Sequence, residues 1–169
     1  ILDMIQNLRT PIGDVVVPLI TRLGDAGIIW IILTVLLLII PKTRKTGVIM
    51  MVALLVDVLL CNVLIKNLVA RTRPFDVNTA VQLLIEKPQD YSFPSGHTAA
   101  SFASVTALYL AGEKKMWKAA LVLAVLIALS RLYLYVHYPT DIIGGVIFGS
   151  LSGYLGYKIV EWIQKKKIK

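Results

Sequence analysis

Cysteine is nearly absent from this 169-residue chain. Cys61 stands alone, which excludes a disulfide framework and a cysteine-ligated metal site. Histidine is almost as scarce, with only His97 and His137. Two imidazoles without a dense carboxylate set make a poor ligand group, so no metal and no cofactor is expected. Acids are outnumbered, ten against 18 lysines and arginines. The length suits one domain, expected over residues 1–169. No cleavable signal peptide is expected, because Asp3, Arg9, Pro11 and Asp14 interrupt the opening stretch.

What the chain has in abundance is apolar surface. Hydrophobic residues make up 57% of it and the mean hydropathy is +0.74, too apolar for a soluble domain of this size. Apolar runs at 25–40, 47–70, 97–112, 116–136 and 140–162 have the length of bilayer-crossing helices or nearly so. The expected fold is therefore all-α, a polytopic membrane helix bundle with about five spans in a core over 25–162. Residues 1–24 mix apolar and charged positions and are broken by Pro11 and Pro18. They are expected to form amphipathic helices at the interface, or a sixth span if they cross. Residues 163–169 form a basic tail.

The charges set an orientation. Eleven of the 18 basic residues fall between spans one and two (Lys42, Arg44, Lys45), between spans three and four (Lys114, Lys115, Lys118), or at and after the end of span five (Lys158, Lys165, Lys166, Lys167, Lys169). With five spans these share one side, and the positive-inside rule makes it cytoplasmic. The net charge of +8 is thus a topology signal, and nucleic acid is not an expected partner. Ala99, Ala103, Ala107 and Ala111 recur every four residues, as do Gly145, Gly149 and Gly153. Such small-residue stripes let membrane helices pack closely within a bundle. They do not determine an oligomeric state.

Three stretches gather ionisable groups on the outer side. In "KNLVARTRP" (66–74), Lys66 and Arg73 lie two helical turns apart, so on a helix they share a face; Pro74 is expected to end that helix. Two cations at a helix end can grip a phosphate dianion, although the stretch alone also reads as snorkelling interfacial residues. In "FPSGHTAA" (93–100), Ser95 can cap a helix starting at Gly96, whose free amides bind anions. His97 then lies in the first turn; an ordinary turn with an interfacial histidine reads equally well. In "SRLYLYVHYPTD" (130–141), Pro139 breaks the chain near Arg131 and His137. Asp141 can accept a hydrogen bond from His137, fixing its tautomer and leaving the other nitrogen nucleophilic, although the stretch alone also reads as a capped helix–helix turn. Together the stretches supply two histidines, three cations and an orienting carboxylate at one membrane face. That is an inventory for phosphoryl transfer through histidine, with cations and helix amides offsetting the developing charge in place of a metal.

The pattern Lys66-x6-Arg73-Pro74, Pro94-Ser95-Gly96-His97 and Ser130-Arg131-x5-His137-x3-Asp141 resembles the three-part motif of the type 2 phosphatidic acid phosphatase superfamily, which also includes the vanadium haloperoxidases. The match covers about residues 66–141, and the chain departs from many membrane members in lacking a clear additional N-terminal span. The resemblance implies His137 as nucleophile through a phosphohistidine, Asp141 as its orienting group and His97 as the acid that protonates the leaving oxygen. It implies Lys66, Arg73, Arg131, Ser95 and the Gly96 amide as phosphate ligands. Arg71 is expected to be at most a supporting contact. Asp57 lies nine residues before Lys66, roughly 13 Å along a helix axis, and a structural hydrogen bond or ion pair is expected of it.

The function so implied is hydrolysis of the terminal phosphate of a lipid phosphate or diphosphate at the extracytoplasmic face of a cell membrane. Candidate substrates are undecaprenyl diphosphate, phosphatidylglycerol phosphate and phosphatidic acid. Likeness to compact bacterial members of the family inclines the reading to undecaprenyl diphosphate or a broad range. The alternatives are a vanadate-dependent haloperoxidase-like protein, or a non-catalytic small transporter or assembly factor.

Overall fold

The computed structural model describes residues 1–168, with side chains as far as Lys166. Lys167 and Lys169, counted above in the basic tail, lie outside the described side chains. Every regular element among the described residues is helical. Short α1 (Leu2–Asn7) leads to α2 (Pro11–Arg22), which Thr10 caps by accepting the Gly13 amide at 3.0 Å. A turn with left-handed Ala26 and Gly27 leads to α3 (Ile28–Ile39). Helix α4 (Arg44–Asp57) continues through a π-helical segment, Val58–Ile65, into α5 (Lys66–Val69). Short α6 (Pro74–Val77) opens an irregular segment that ends at α7 (Gly96–Leu110). Then come α8 (Met116–Tyr133) and α9 (Pro139–Ile168).

Burial is arranged for hydrocarbon solvent. Ile31, Ile32, Val35, Leu59, Val63, Val122, Leu129, Ile143 and Ile147 face outward, while the interior is rich in small residues such as Ala53, Ala99, Ala103, Ala107, Ala120 and Ala124. Away from their ends, helices pair their backbone polar groups internally, as a bilayer requires. The run Pro41–Val77, α8 and α9 are each long and apolar enough to cross a membrane. Helix α2 and the stretch Asp25–Ile39 meet that test only together, across a 42° bend. By length and composition the pair is a broken span or a re-entrant loop. Helix α7 has 15 residues and packs among α4, α8 and α9.

The small-residue stripes meet where α7 crosses α9. A Cβ on Gly149 would lie 2.2 Å from the Ala99 carbonyl oxygen and 2.8 Å from its Cα, so only glycine permits this approach. At one end of the bundle, Lys45 pairs with Glu161 at 2.5 Å and Thr46 donates to Glu113 at 2.8 Å. The opposite end collects the C-terminus of α5, the start of α7, the end of α8 and the start of α9.

Candidate active site

That opposite end holds a cavity of ≈1080 Å³, lined among others by Lys66, Arg73, Gly96, His97, Arg131 and His137. Six of the eight side chains or amides expected from sequence thus share one wall. The other two, Ser95 and Asp141, are fully buried behind it.

Lys66 and Arg73 arrive by a different route from the one expected. They do not share a helix face. Helix α5 ends at Val69, left-handed Ala70 turns the chain, and Arg73 is extended at φ −77°, ψ 154°. Pro74 imposes that extended geometry on its predecessor but starts α6 and does not end the span. Both cations nonetheless converge on Asp90. Lys66 Nζ binds its Oδ2, Arg73 Nη2 donates to Oδ1 at 2.6 Å, and Arg73 Nε donates to the Asp90 carbonyl at 2.7 Å. Burial would raise the Asp90 carboxyl, but Lys66 and Arg73 outweigh it and hold the group down at about 2. A carboxylate therefore occupies the place between the cations that a phosphate oxygen can take.

Arg131 is 3% exposed. Its Nη1 donates to the Thr21 hydroxyl, while its Nε–H has no partner. A buried guanidinium with an unused donor is prepared for an anion, since an unmade hydrogen bond at a buried group is costly.

His137 lies in the α8–α9 turn, where the reversal is made by left-handed Tyr135 (φ 61°); Pro139 instead opens α9. The residue is 1% exposed. Its Nδ1 faces Asp141 Oδ2 and Ser92 Oγ, both at 3.5 Å, and its Nε2 faces Arg73 Nη1 at 3.4 Å. A donor at Nε2 and a carboxylate beside Nδ1 favour the Nδ1–H tautomer with the lone pair on Nε2. Burial, with the Arg131 and Arg73 charges, pushes the imidazole down to about 3 against the pull of Asp141. Asp141 itself is clamped: Ser92 Oγ donates to it at 2.5 Å, the Tyr138 amide at 2.8 Å and Arg71 Nη1 at 2.7 Å. Arg71 also stacks 4.0 Å over the Tyr138 ring. It supports the site through Asp141, as expected, although no helix carries it.

Ser95 caps α7 by accepting the Thr98 amide at 3.4 Å and the Thr98 hydroxyl at 3.0 Å. The side chain expected to meet phosphate is thus turned into the helix, and the Gly96 backbone takes the cavity wall. His97 is held on its own carboxylate, with Nε2 2.8 Å from Asp25 Oδ1. Its carbonyl accepts from Ser101, whose hydroxyl in turn accepts from Trp30. Sequence reasoning did not single out Asp25, Asp90, Ser92 or Thr21. The Gly-Asp-Ala-Gly run at 24–27 was the available signal for Asp25.

The family model for the PAP2 superfamily matches residues 46–165. The chain belongs to the PAP2 superfamily. It is 38% identical over 140 residues to an undecaprenyl-diphosphatase of Sulfolobus acidocaldarius, covering 83% of this chain and 68% of that protein. Among solved structures it is similar to LpxE of Aquifex aeolicus, with a TM-score of 0.79, 32% identity, and coverage of 93% of this chain and 92% of that one. It is also similar to a transmembrane PAP2-type phosphatidylglycerolphosphate phosphatase of Bacillus subtilis, with a TM-score of 0.73, 30% identity, and 98% and 83% coverage. The all-helical membrane bundle expected from sequence is thus the architecture of this PAP2 chain. Among its described residues, no group of three or more His, Cys, Asp or Glu side chains is arranged to hold a metal ion.

Proposed function

We propose that this PAP2 protein is an integral membrane lipid phosphatase that removes the terminal phosphate of lipid phosphates and diphosphates at the extracytoplasmic face, through a phosphohistidine. The observation that carries this reading is the pairing of a buried, Asp141-backed His137 Nε2 with a guanidinium whose Nε–H is unused at the same cavity. Named relatives that act on lipid phosphates support the substrate class. The basic residues gathered at the far end of the bundle support the orientation.

In the proposed reaction, substrate phosphate displaces Asp90 from Lys66 and Arg73. Arg131 Nε and the first amides of α7 take the remaining oxygens, with Ser95 holding that turn in shape. His137 Nε2 attacks phosphorus as the bond to the lipid oxygen breaks, and protonated His97 gives its proton to that oxygen. A water then attacks the phosphohistidine, returns a proton to His97, and leaves with inorganic phosphate. Three cations and the helix amides balance the transition-state charge, so the reaction needs no metal. Undecaprenyl diphosphate, phosphatidylglycerol phosphate and phosphatidic acid are the candidate substrates.

The test is a panel of these lipids offered to the detergent-purified protein in the presence of a chelator. Wild type is expected to release phosphate, His137→Ala to release none, and His97→Ala to be slower by about 10²–10⁴-fold, the usual worth of a general acid. Undiminished turnover by His137→Ala contradicts the covalent route, and strict dependence on added divalent metal contradicts the charge balance.

A further inference from the structure

Asp57 has no role in the reaction above, and the Cys61 thiol and Lys66 charge beside it supply only part of the structural role expected of it. It is 1% exposed and its Oδ1 has no hydrogen-bond partner, yet it lines the same cavity as Lys66 and His97. The backbone explains how it comes to face there. Nine residues separate Asp57 from Lys66, about two and a half turns of a regular α-helix, which would put them on opposite faces. The segment between them, Val58–Ile65, is π-helical. Its i→i+5 repeat brings Asp57 and Asn62 into line, and Lys66 follows Asn62 by one α-turn. Asp57, Asn62 and Lys66 all line the cavity.

The position of Asp57 has a chemical meaning. The cations and His97 meet the phosphate and its leaving oxygen. From His97 the wall of α7 continues to Ala100, and α4 presents Leu54 and Asp57 to the same space. The space beside His97, where the leaving group would lie, is thus bordered by Asp57. Asn62 stands beside the first turn of α7, its Oδ1 3.0 Å from where a Gly96 Cβ would be. A buried acceptor kept without a partner destabilises the fold unless a ligand completes it.

We propose that Asp57, supported by Asn62, is a specificity-determining residue that accepts a hydrogen bond from a hydroxyl on the leaving group, one carbon from the scissile phosphate ester. This rests on the lipid phosphatase reading and refines its substrate class towards polyol-linked phosphates. Phosphatidylglycerol phosphate carries such a hydroxyl, and phosphatidic acid, whose neighbouring oxygen is acylated, does not.

The experiment compares these two lipids on the full chain in detergent, with wild type, Asp57→Ala and Asp57→Asn. Wild type is expected to prefer the hydroxylated lipid. Asp57→Ala is expected to lower kcat/KM on it about tenfold, the worth of one buried hydrogen bond, and to leave phosphatidic acid within about twofold. Asp57→Asn, which keeps an acceptor oxygen, is expected to restore most of the loss, and thermal unfolding of Asp57→Ala to occur no lower than wild type. Equal losses on both lipids, no change on either, or no wild-type preference overturns the subsite while leaving the phosphatase reading intact. Should Asp57→Ala prove unstable, a preference by Asp57→Asn equal to wild type supports the subsite and its collapse on both lipids overturns it. Release of no phosphate from either lipid by wild type overturns both readings.

Discussion

His137 sits in an environment that keeps its imidazole neutral. Burial and two guanidinium groups depress it from 6.5 to about 3, so below about pH 6.5 the unfolded chain takes up a proton that the folded chain refuses. Stability must then fall with acidity between those values. Asp90 acts in the opposite pH range: held down at about 2, its pairing is complete above the ordinary carboxylate range and lost only as pH falls through about 2. Across neutral pH the latch is closed and the nucleophile is free. The pH profile of kcat/KM, corrected for ionisation of the substrate, is expected to be bell-shaped. Its acid limb is expected well below 6.5, and its alkaline limb where the proton shared by the His97–Asp25 pair, needed by the leaving oxygen, is lost. A flat profile between pH 5 and 9, or an acid limb at the ordinary imidazole value, contradicts this account. The motif residues were legible because ionisable groups are rare at membrane helix ends and their types specify the chemistry. Asp90, Ser92 and Asp25 were not, because they reach the site from irregular segments whose path no periodicity encodes.

At the level of elements, the helices were legible from apolar runs, and their ends only in part. Proline was read as the terminator of two spans. The structure instead ends them at left-handed Ala70 and Tyr135, and Pro74 and Pro139 open the helices that follow. Sequence gives no warning of a left-handed alanine or tyrosine, since tertiary contacts hold it; Tyr135 donates to Asp3 at 2.6 Å and is itself buried. The π-helical segment was likewise invisible, and with it the face on which Asp57 lies. The glycine and alanine stripes announced close packing within the bundle, but not that α7 and α9 would be the pair to meet. Gly149→Val is expected to push α9 away from the Ala99 carbonyl and to destabilise the protein by about 1–3 kcal/mol or more, as overpacking does. The readout is thermal unfolding in detergent. A wild-type midpoint for this variant would show that the helices do not depend on that contact.

For the molecule as a whole, the bundle is a scaffold that separates two ends. One carries the paired Lys45 and Glu161 and the basic connections; the other carries the cavity, where α2 closes the wall by handing Thr21 to Arg131. The proposed orientation predicts that a single cysteine introduced at Gln89, in a background lacking Cys61, reacts with an impermeant thiol reagent on intact cells. Labelling only after lysis would invert the topology. The central claim is that phosphate passes through His137, and it is tested most directly by trapping the intermediate. The protein is mixed briefly with a lipid labelled in its terminal phosphate and quenched in alkali, where phosphohistidine survives. The account predicts label on the peptide containing His137, absent from His137→Ala. Full turnover with no protein-bound label at any quench time, and direct transfer of phosphate to water, would contradict it.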